Sequence, residues 1–363
     1  MSAESTPPPV QIALPASAGT RPVHTVLAAG ESVLWCSCGL SSKQPFCDGS
    51  HRGTSFLPVR HVATEAEERL FCTCKQSKDA PFCDGAHNNV TGAVKHDDEH
   101  SSANRAVVWV EAGAEGIAQL DGGCYVRSPC GAPQWQQGTL AVRRLIGADL
   151  GAQFQSQFLL EAAVGNSPVV EFGDRHVALF VAEGQGKLRI GTRSFALSPE
   201  TGAYIRPGER FQLQADQPMR VFASVCPLAE APVLGGALAD DADDAGDASE
   251  PRTVPVDPAN RQTMGERFFQ MLVDRSVGST VVTQFIGEIP LSKAMPHRHL
   301  YEESLIVLRG EGCLWTETRK ARVCAGDIIF LPRRQLHSLQ CTDPAGMLLV
   351  GVIYPGDNPS ISY

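Results

Sequence analysis

The sequence has no apolar run approaching the roughly 20 residues that a helix needs to span a bilayer, so no membrane partner is expected. Positive charge is in short supply: 31 Lys and Arg stand against 40 Asp and Glu, a net charge of −9. Nothing in that balance gives the basic footprint of a nucleic-acid binder. Six of the acids fall between Asp240 and Glu250 with no base among them. Setting that stretch aside leaves −3, so the run reads as a solvated linker between nearly balanced folded parts. The first residues, MSAESTPPPVQIALPASAGT, lack both the basic start and the continuous apolar core of a secretory signal. A cytoplasmic location is expected, and with it reduced thiols.

What is present is ordinary in bulk and unusual in detail. Of 363 residues, 43% are hydrophobic and 20% charged, enough for two to three globular domains with cores of normal size. The detail is 12 cysteines and 10 histidines. Clustered Cys and His in a reducing compartment point to metal rather than disulfides. Six of the cysteines lie between Cys36 and Cys83 at matching spacings.

Composition shifts divide the chain. Residues 1–22, rich in Pro, Ser and Ala, read as a flexible tail. A small segment, 23–95, carries the clustered cysteines, and the polar run KHDDEHSSANR (95–105) follows as a linker. Residues 106–235 alternate short apolar runs with Gly and Pro turns, the pattern of a β sandwich or barrel. After the acidic linker, 236–258, the same pattern returns in 259–363. Leu145, Gly151, Gln157, Phe158 and Glu161 match Leu272, Gly278, Gln284, Phe285 and Glu288 at a constant offset of 127. Gly184 and Gly186 match Gly310 and Gly312 at 126, and Pro207 matches Pro332 at 125. Drift by single residues is what loop insertions produce, so the β region reads as a duplication.

The small segment is itself a repeat. CSCGLSSKQPFCDGSH (36–51) and CTCKQSKDAPFCDGAH (72–87) share the pattern C-x-C-x2-S-x3-P-x-C-D-G-[SA]-H. Cys-x-Cys sets two thiolates on one side of an extended segment. Cys47 and His51, four apart, share a face of one helical turn. Asp48 suits a cap for that turn and Gly49 allows close backbone approach. Pro45 fixes the entry, and Pro81, Cys83, Asp84, Gly85 and His87 repeat the arrangement. The ligand set alone permits a Cys3His zinc site as well as an iron–sulfur cluster. Both motifs resemble the CDGSH iron–sulfur family, in its tandem form, over about 70 residues. The resemblance implies one [2Fe–2S] cluster on Cys36, Cys38, Cys47 and His51 and another on Cys72, Cys74, Cys83 and His87. All-Cys plant-type clusters sit near about −400 mV and two-His Rieske centres at about −150 to +300 mV, so one histidine should give an intermediate potential. Protonation of a surface imidazole should release it, making the clusters acid-labile.

The last β segment carries PHRHLYEESLIVLRG (296–310) and GDIIFLPRRQLH (326–337). His297 and His299, two apart, point to one face of a strand. With Glu303 and His337 they make three imidazoles and a carboxylate, a good set for a divalent transition metal. These motifs resemble those of the cupin superfamily, which implies metal ligation by His297, His299, Glu303 and His337. Arg334 stands where that pattern usually has glycine, and Cys341 where it often has asparagine. In the first β segment the matching positions are about Glu171, Gly173, Val177 and Gln212, which cannot hold a metal well. His176 survives nearby as a lone histidine. Cys313, Trp315 and Gln284 lie on strands bordering the cavity and are taken as core-facing.

The fold class expected is mainly β: a small tandem CDGSH iron–sulfur domain followed by two cupin β-barrels, a bicupin. The cofactors expected are two [2Fe–2S] clusters and one divalent metal, Fe(II), in the C-terminal barrel. The leading functional expectation is an iron-dependent oxygenase or oxidase acting on a small-molecule substrate. The clusters would pass single electrons from an external donor to the barrel iron. A redox or iron-status sensor and a non-redox zinc or manganese cupin, such as an isomerase, stay open beside it.

Overall fold

Alternating apolar and polar positions, broken every few residues by Gly or Pro, fold here into short antiparallel strands. The computed structural model describes residues 15–92, 96–238, 250–356 and 358–363. The first 14 residues of the expected tail and residues 239–249 of the acidic linker lie outside the described residues. The described residues form two compact units, one of residues 15–92 with Ser360–Tyr363 and one of those from 96 to 359.

In the first unit, Val23–Leu27 pairs with Glu67–Phe71 and Ser32–Trp35 pairs with Val59–Val62, all antiparallel. Each two-stranded sheet takes one strand from the chain before the first motif and one from the chain before the second. The two repeats are therefore interlocked. Leu27, Trp35, Ala63 and Phe71 form the buried centre. The Phe71 ring packs 5.3 Å from both Phe46 and Phe82, one phenylalanine from each cysteine loop. The expected flexible tail ends earlier than residue 22. The Ala16 N–H donates to the Cys38 carbonyl and the Ala18 N–H to the Thr73 carbonyl, both at 3.0 Å. Main-chain amides of a segment with few large apolar side chains thus satisfy carbonyls of both loops, a role that composition does not reveal. At the other end of the chain, Ser360–Tyr363 belongs to this unit rather than to the barrel expected to run to 363. The Asn88 side-chain amide donates to the Ser360 carbonyl at 2.8 Å, and the Tyr363 ring lies 5.0 Å from His24.

The second unit contains two β sandwiches of the same build. The first joins a seven-stranded and a six-stranded sheet, the second an eight-stranded and a five-stranded sheet. Phe158 and Leu160 face the interior of the first sandwich, while Leu159 between them faces the other large sheet. Ile286, Ile306, Leu348 and Val350 meet that face from the second sandwich. Strand Met347–Tyr354 is therefore apolar on both sides, as its sequence MLLVGVIY requires. The matched glycines fall at matched places: Gly184 and Gly310 both have φ of +85°.

The sandwiches exchange strands. Val108–Trp109, Ile117–Gln119 and Tyr125–Arg127, expected in the first barrel, extend the sheets of the second. Thr253–Pro255, expected in the linker, pairs with Thr201–Ile205 of the first. Residues 96–105, expected as a linker, lie against the second sandwich. Asp97 N–H donates to the Lys293 carbonyl at 3.0 Å, and Ser101 caps the short helix Ser102–Arg105.

Candidate metal centres

In the first cysteine loop, Cys36 and Cys38 hold their sulfurs 3.6 Å apart, and Cys47 Sγ lies 3.2 Å from His51 Nδ1. The second loop repeats this at 3.5 Å for Cys72 and Cys74 and 3.2 Å for Cys83 and His87. The ligand atoms come in pairs. Among the described residues, neither Cys3His set brings three ligand atoms within 4.8 Å of one another. One tetrahedral zinc would draw all four to within about 4 Å. Two pairs set apart suit a two-iron centre, each pair on its own iron.

The loops are built for anionic sulfur. The N–H of Gly49 and of Gly85 each donates to the preceding cysteine sulfur at 3.4 Å, and Leu40 N–H donates to Cys38 at the same distance. Asp48 caps its own turn, accepting from Ser50 N–H at 3.0 Å, and it also accepts from Ser42 N–H at 2.9 Å. Asp84 repeats both contacts with Ala86 and Lys78. A hydrogen bond from Cys74 draws the Cys72 thiol down to about 6 against the opposing effect of burial. The pair shares a proton that a metal would displace. The two histidines differ. His51 is half-buried, whereas His87 is buried and its pKa is pushed down to about 4 by burial, with Arg21 adding to the effect.

Sequence reasoning missed Lys75. Its ammonium lies 4.5 Å over the Trp35 ring and donates to the Cys72 carbonyl at 3.0 Å. It is buried beside the thiols of both motifs, where burial lowers its pKa and the sulfurs of Cys36 and Cys72 raise it. A positive charge there would offset the charge of a bound cluster. The available signal was its place directly after Cys-x-Cys, where the first motif has Gly39.

In the C-terminal sandwich, ligand atoms of His299, Glu303 and His337 lie within 4.8 Å of one another. His299 Nε2 is 2.9 Å from a Glu303 carboxylate oxygen, yet it is buried without a hydrogen bond. His297 stands outside that close group but lines the same cavity, its ring centroid 4.6 Å from that of His337. Strand geometry produces the convergence. His297 bridges His337 beside the five-stranded sheet, and Glu303 enters from strand Glu302–Arg309 of the eight-stranded sheet. All three imidazoles use Nδ1 on a backbone carbonyl: His297 on Met295 at 2.8 Å, His299 on Tyr301 at 3.0 Å and His337 on Gln335 at 2.9 Å. A carbonyl only accepts, so Nδ1 carries the proton and Nε2 keeps its lone pair in each neutral ring. Burial and the neighbouring His297 and His299 hold the His337 pKa well below the usual range. Orphaned Nε2 beside a carboxylate, with the tautomers fixed, is the donor set a divalent transition metal fits.

The cavity encloses about 90 Å³ and is otherwise lined mainly by apolar groups, including Phe269, Phe285, Leu305 and Leu331. Tyr301 stacks on His299 with ring centroids 4.2 Å apart. Glu302 is turned away and accepts from three successive backbone N–H groups, Gln153 to Gln155. Arg298 faces Glu317 at 3.8 Å. Cys313 and Trp315 do not reach the cavity: alternation gives Leu314 to the core between them, and Trp315 lies between the ammonium groups of Lys293 and Lys320. Gln284 likewise points to the other sandwich, toward Gly202, while its neighbour Phe285 lines the cavity. Arg334 occupies its glycine-type position with φ of +64°, and its N–H donates to the His299 carbonyl at 2.9 Å.

Among the described residues the first sandwich has no such set, and the matching positions differ from those the sequence offset gave. The Val170–Phe211 pairing corresponds to the His297–His337 bridge. Register thus matches the four metal-site positions to Val170, Phe172, Val177 and Phe211, all buried in the core. Glu171, Gly173 and Gln212 were one residue off, and one residue in a strand reverses the face. His176 meets the Tyr204 hydroxyl through Nδ1 at 2.5 Å.

Comparison with known proteins agrees with the two kinds of site. The family described as iron-binding zinc finger CDGSH type matches residues 9–52, and the cupin domain family matches residues 289–352. The human mitochondrial CDGSH iron-sulfur domain-containing protein 3 is 60% identical over 30 residues, 8% of this chain and 24% of that protein. Its mouse counterpart is 49% identical over 43 residues, 12% of this chain and 31% of that protein. The chain thus spans about a quarter to a third of the curated relatives it matches. Among solved structures, an oxalate decarboxylase from Lactobacillus farciminis in complex with formate superposes with a TM-score of 0.54 at 13% identity, over 64% of this chain and 86% of that one. A Bacillus subtilis oxalate decarboxylase variant gives 0.50 at 13%, over 64% and 77%. At that identity the likeness is one of fold. Among the described residues, no helix is long and apolar enough to cross a membrane.

Proposed function

From a CDGSH-type segment at the N-terminus and a cupin domain at the C-terminus, we propose an iron-dependent oxidase or oxygenase acting on a small molecule. Two [2Fe–2S] clusters, on Cys36, Cys38, Cys47 and His51 and on Cys72, Cys74, Cys83 and His87, supply single electrons. An iron on His297, His299, Glu303 and His337 receives them. Bound there, iron would contribute O2 and one-electron chemistry. The protein's own part is to fix the tautomers so that each Nε2 keeps its lone pair, to hold Glu303 beside His299, and to line the rest of the cavity mainly with apolar groups.

The observation that carries the reading is the pairing, in one chain, of duplicated two-by-two sulfur and imidazole ligands with a tautomer-fixed three-histidine cavity. A cavity of about 90 Å³ beside the three histidines suits a small molecule. The test is rapid mixing of dithionite-reduced protein with O2 and a panel of small candidate substrates. Cluster reoxidation is expected to accelerate with the right substrate. His299→Ala should abolish that acceleration and leave the cluster spectrum intact. Equal reoxidation rates in His299→Ala and wild type would defeat electron supply to the cupin metal and favour a sensor.

A further inference from the structure

One cationic group in the cupin cavity takes no part in the metal donor set. Arg267 opens the strand Arg267–Val273 directly after the Gly265–Glu266 turn, opposite Met264, and lines the cavity with the three histidines and Glu303. Its Nη2 is sealed from solvent and has no hydrogen-bond partner. Among the described residues no carboxylate oxygen lies within 4.0 Å of it. Glu303 faces His299 at 2.9 Å, and Glu288, which also borders the cavity, pairs with Arg261 at 3.3 Å. Burial lowers the Arg267 pKa to about 10 against the opposing influence of Cys341, which leaves it charged at neutral pH. Arg267 as a whole is half-buried, but a guanidinium nitrogen sealed from water without a partner is costly to keep. A ligand that brings its own charge and acceptors would supply the missing partner.

We propose that Arg267 is the anion-recognition residue of this cavity, pairing through its planar fork with the carboxylate of a small substrate seated beside His297, His299, Glu303 and His337. The inference rests on the reading of this cavity as the substrate site and adds the substrate's chemical class. Carboxylate rather than phosphate follows from the space. About 90 Å³ holds roughly half a dozen waters, which suits a planar acid of two to four carbons. The guanidinium matches a carboxylate with two parallel hydrogen bonds. Arg267 is the only Lys or Arg among the residues that line the cavity, and Glu288 and Glu303 border it, a setting less suited to a doubly charged phosphate than to a single carboxylate.

Malonate, malonamide and inorganic phosphate are titrated calorimetrically into metal-loaded full-length protein, with metal content measured on every sample. Saturable binding of malonate alone is expected. Arg267→Gln should weaken it roughly 10- to 100-fold at unchanged metal content. Arg267→Met, which removes the orphaned charge, should raise the Tm by about a few degrees and abolish the Tm rise that malonate gives the wild type. Malonate affinity unchanged in Arg267→Gln, phosphate binding tighter than malonate, or a Tm lowered in both Arg267→Met and Arg267→Lys would overturn the proposal. Arg267-dependent malonate binding in a wild type that takes up no metal would support the arginine and defeat the metal-site reading.

Discussion

At Gly39 the backbone turns with φ of +80°, and a Cβ there would sit 1.7 Å from the Ala16 carbonyl oxygen. Lys75, its counterpart in the second loop, adopts the same left-handed conformation at +61° and lays its side chain over Trp35. A non-glycine residue there costs about 1–2 kcal/mol, accepted in the second loop together with a buried ammonium between the two sulfur sets. Gly39→Ala is expected to lose about half of the visible cluster absorbance, from the first site only, and Lys75→Gly to retain both sites with lowered potentials. Spectroelectrochemical titration of each variant checks this, and a Gly39→Ala variant with full absorbance would contradict the close approach. Acid should also separate the sites. The His87 pKa lies below its ordinary value, so the neutral, ligating ring is favoured in the folded protein. The stability from that preference is complete above about pH 6.5 and is lost as pH falls toward about 4. His51 has less cover. Bleaching followed from pH 7 to pH 4 is expected in two steps, the first site going earlier. His51→Cys should remove the earlier step, and a single step in the wild type would count against unequal burial.

Strands and loops show where sequence reading works and where it stops. The cysteine loops were legible because their ligands lie within 16 residues and the pattern occurs twice. His297, His299, Glu303 and His337 were legible because strand alternation fixes which side chains share a face. The first barrel's equivalents were not. An offset counted across loops can err by one residue, and only the pairing of Val170 with Phe211 shows that the inward positions are apolar. Arg267 was invisible for a related reason: an unpaired guanidinium is a property of surroundings, not of sequence. The exchange of strands between sandwiches, and the use of 15–21 and 360–363 as parts of the cluster unit, are long-range events with no local signature. The last of these carries an expectation. A Cβ on Gly85 would meet Ser360 Oγ at 1.9 Å, so the chain end closes directly on the second loop. Deleting residues 360–363 should leave the first site's acid lability unchanged and make the second bleach at higher pH and lower temperature. Thermal and pH melts at visible wavelengths test it, and unchanged bleaching of both sites would remove the chain end from the account.

The whole molecule combines sites of opposite character. The first unit holds cysteine sulfurs and imidazoles in pairs, with backbone N–H groups donating to sulfur and a buried lysine nearby, an environment for an anionic iron–sulfur centre. The second holds neutral imidazoles and one carboxylate in a small, mostly apolar cavity, an environment for a lone divalent metal. Duplication has had different outcomes in the two. Both cysteine loops keep their ligands, whereas one barrel has filled its metal positions with valine and phenylalanine. That barrel then serves the other, lending strands and burying the large sheet against it. The central claim is that iron and sulfide, rather than zinc, occupy the paired ligands while a separate iron occupies the histidine cavity. Iron, zinc and acid-labile sulfide are therefore to be quantified together on full-length protein purified anaerobically from iron-replete cells. The account predicts about five irons and four sulfides per chain, falling to about four and four in His299→Ala. Stoichiometric zinc with no labile sulfide would contradict it.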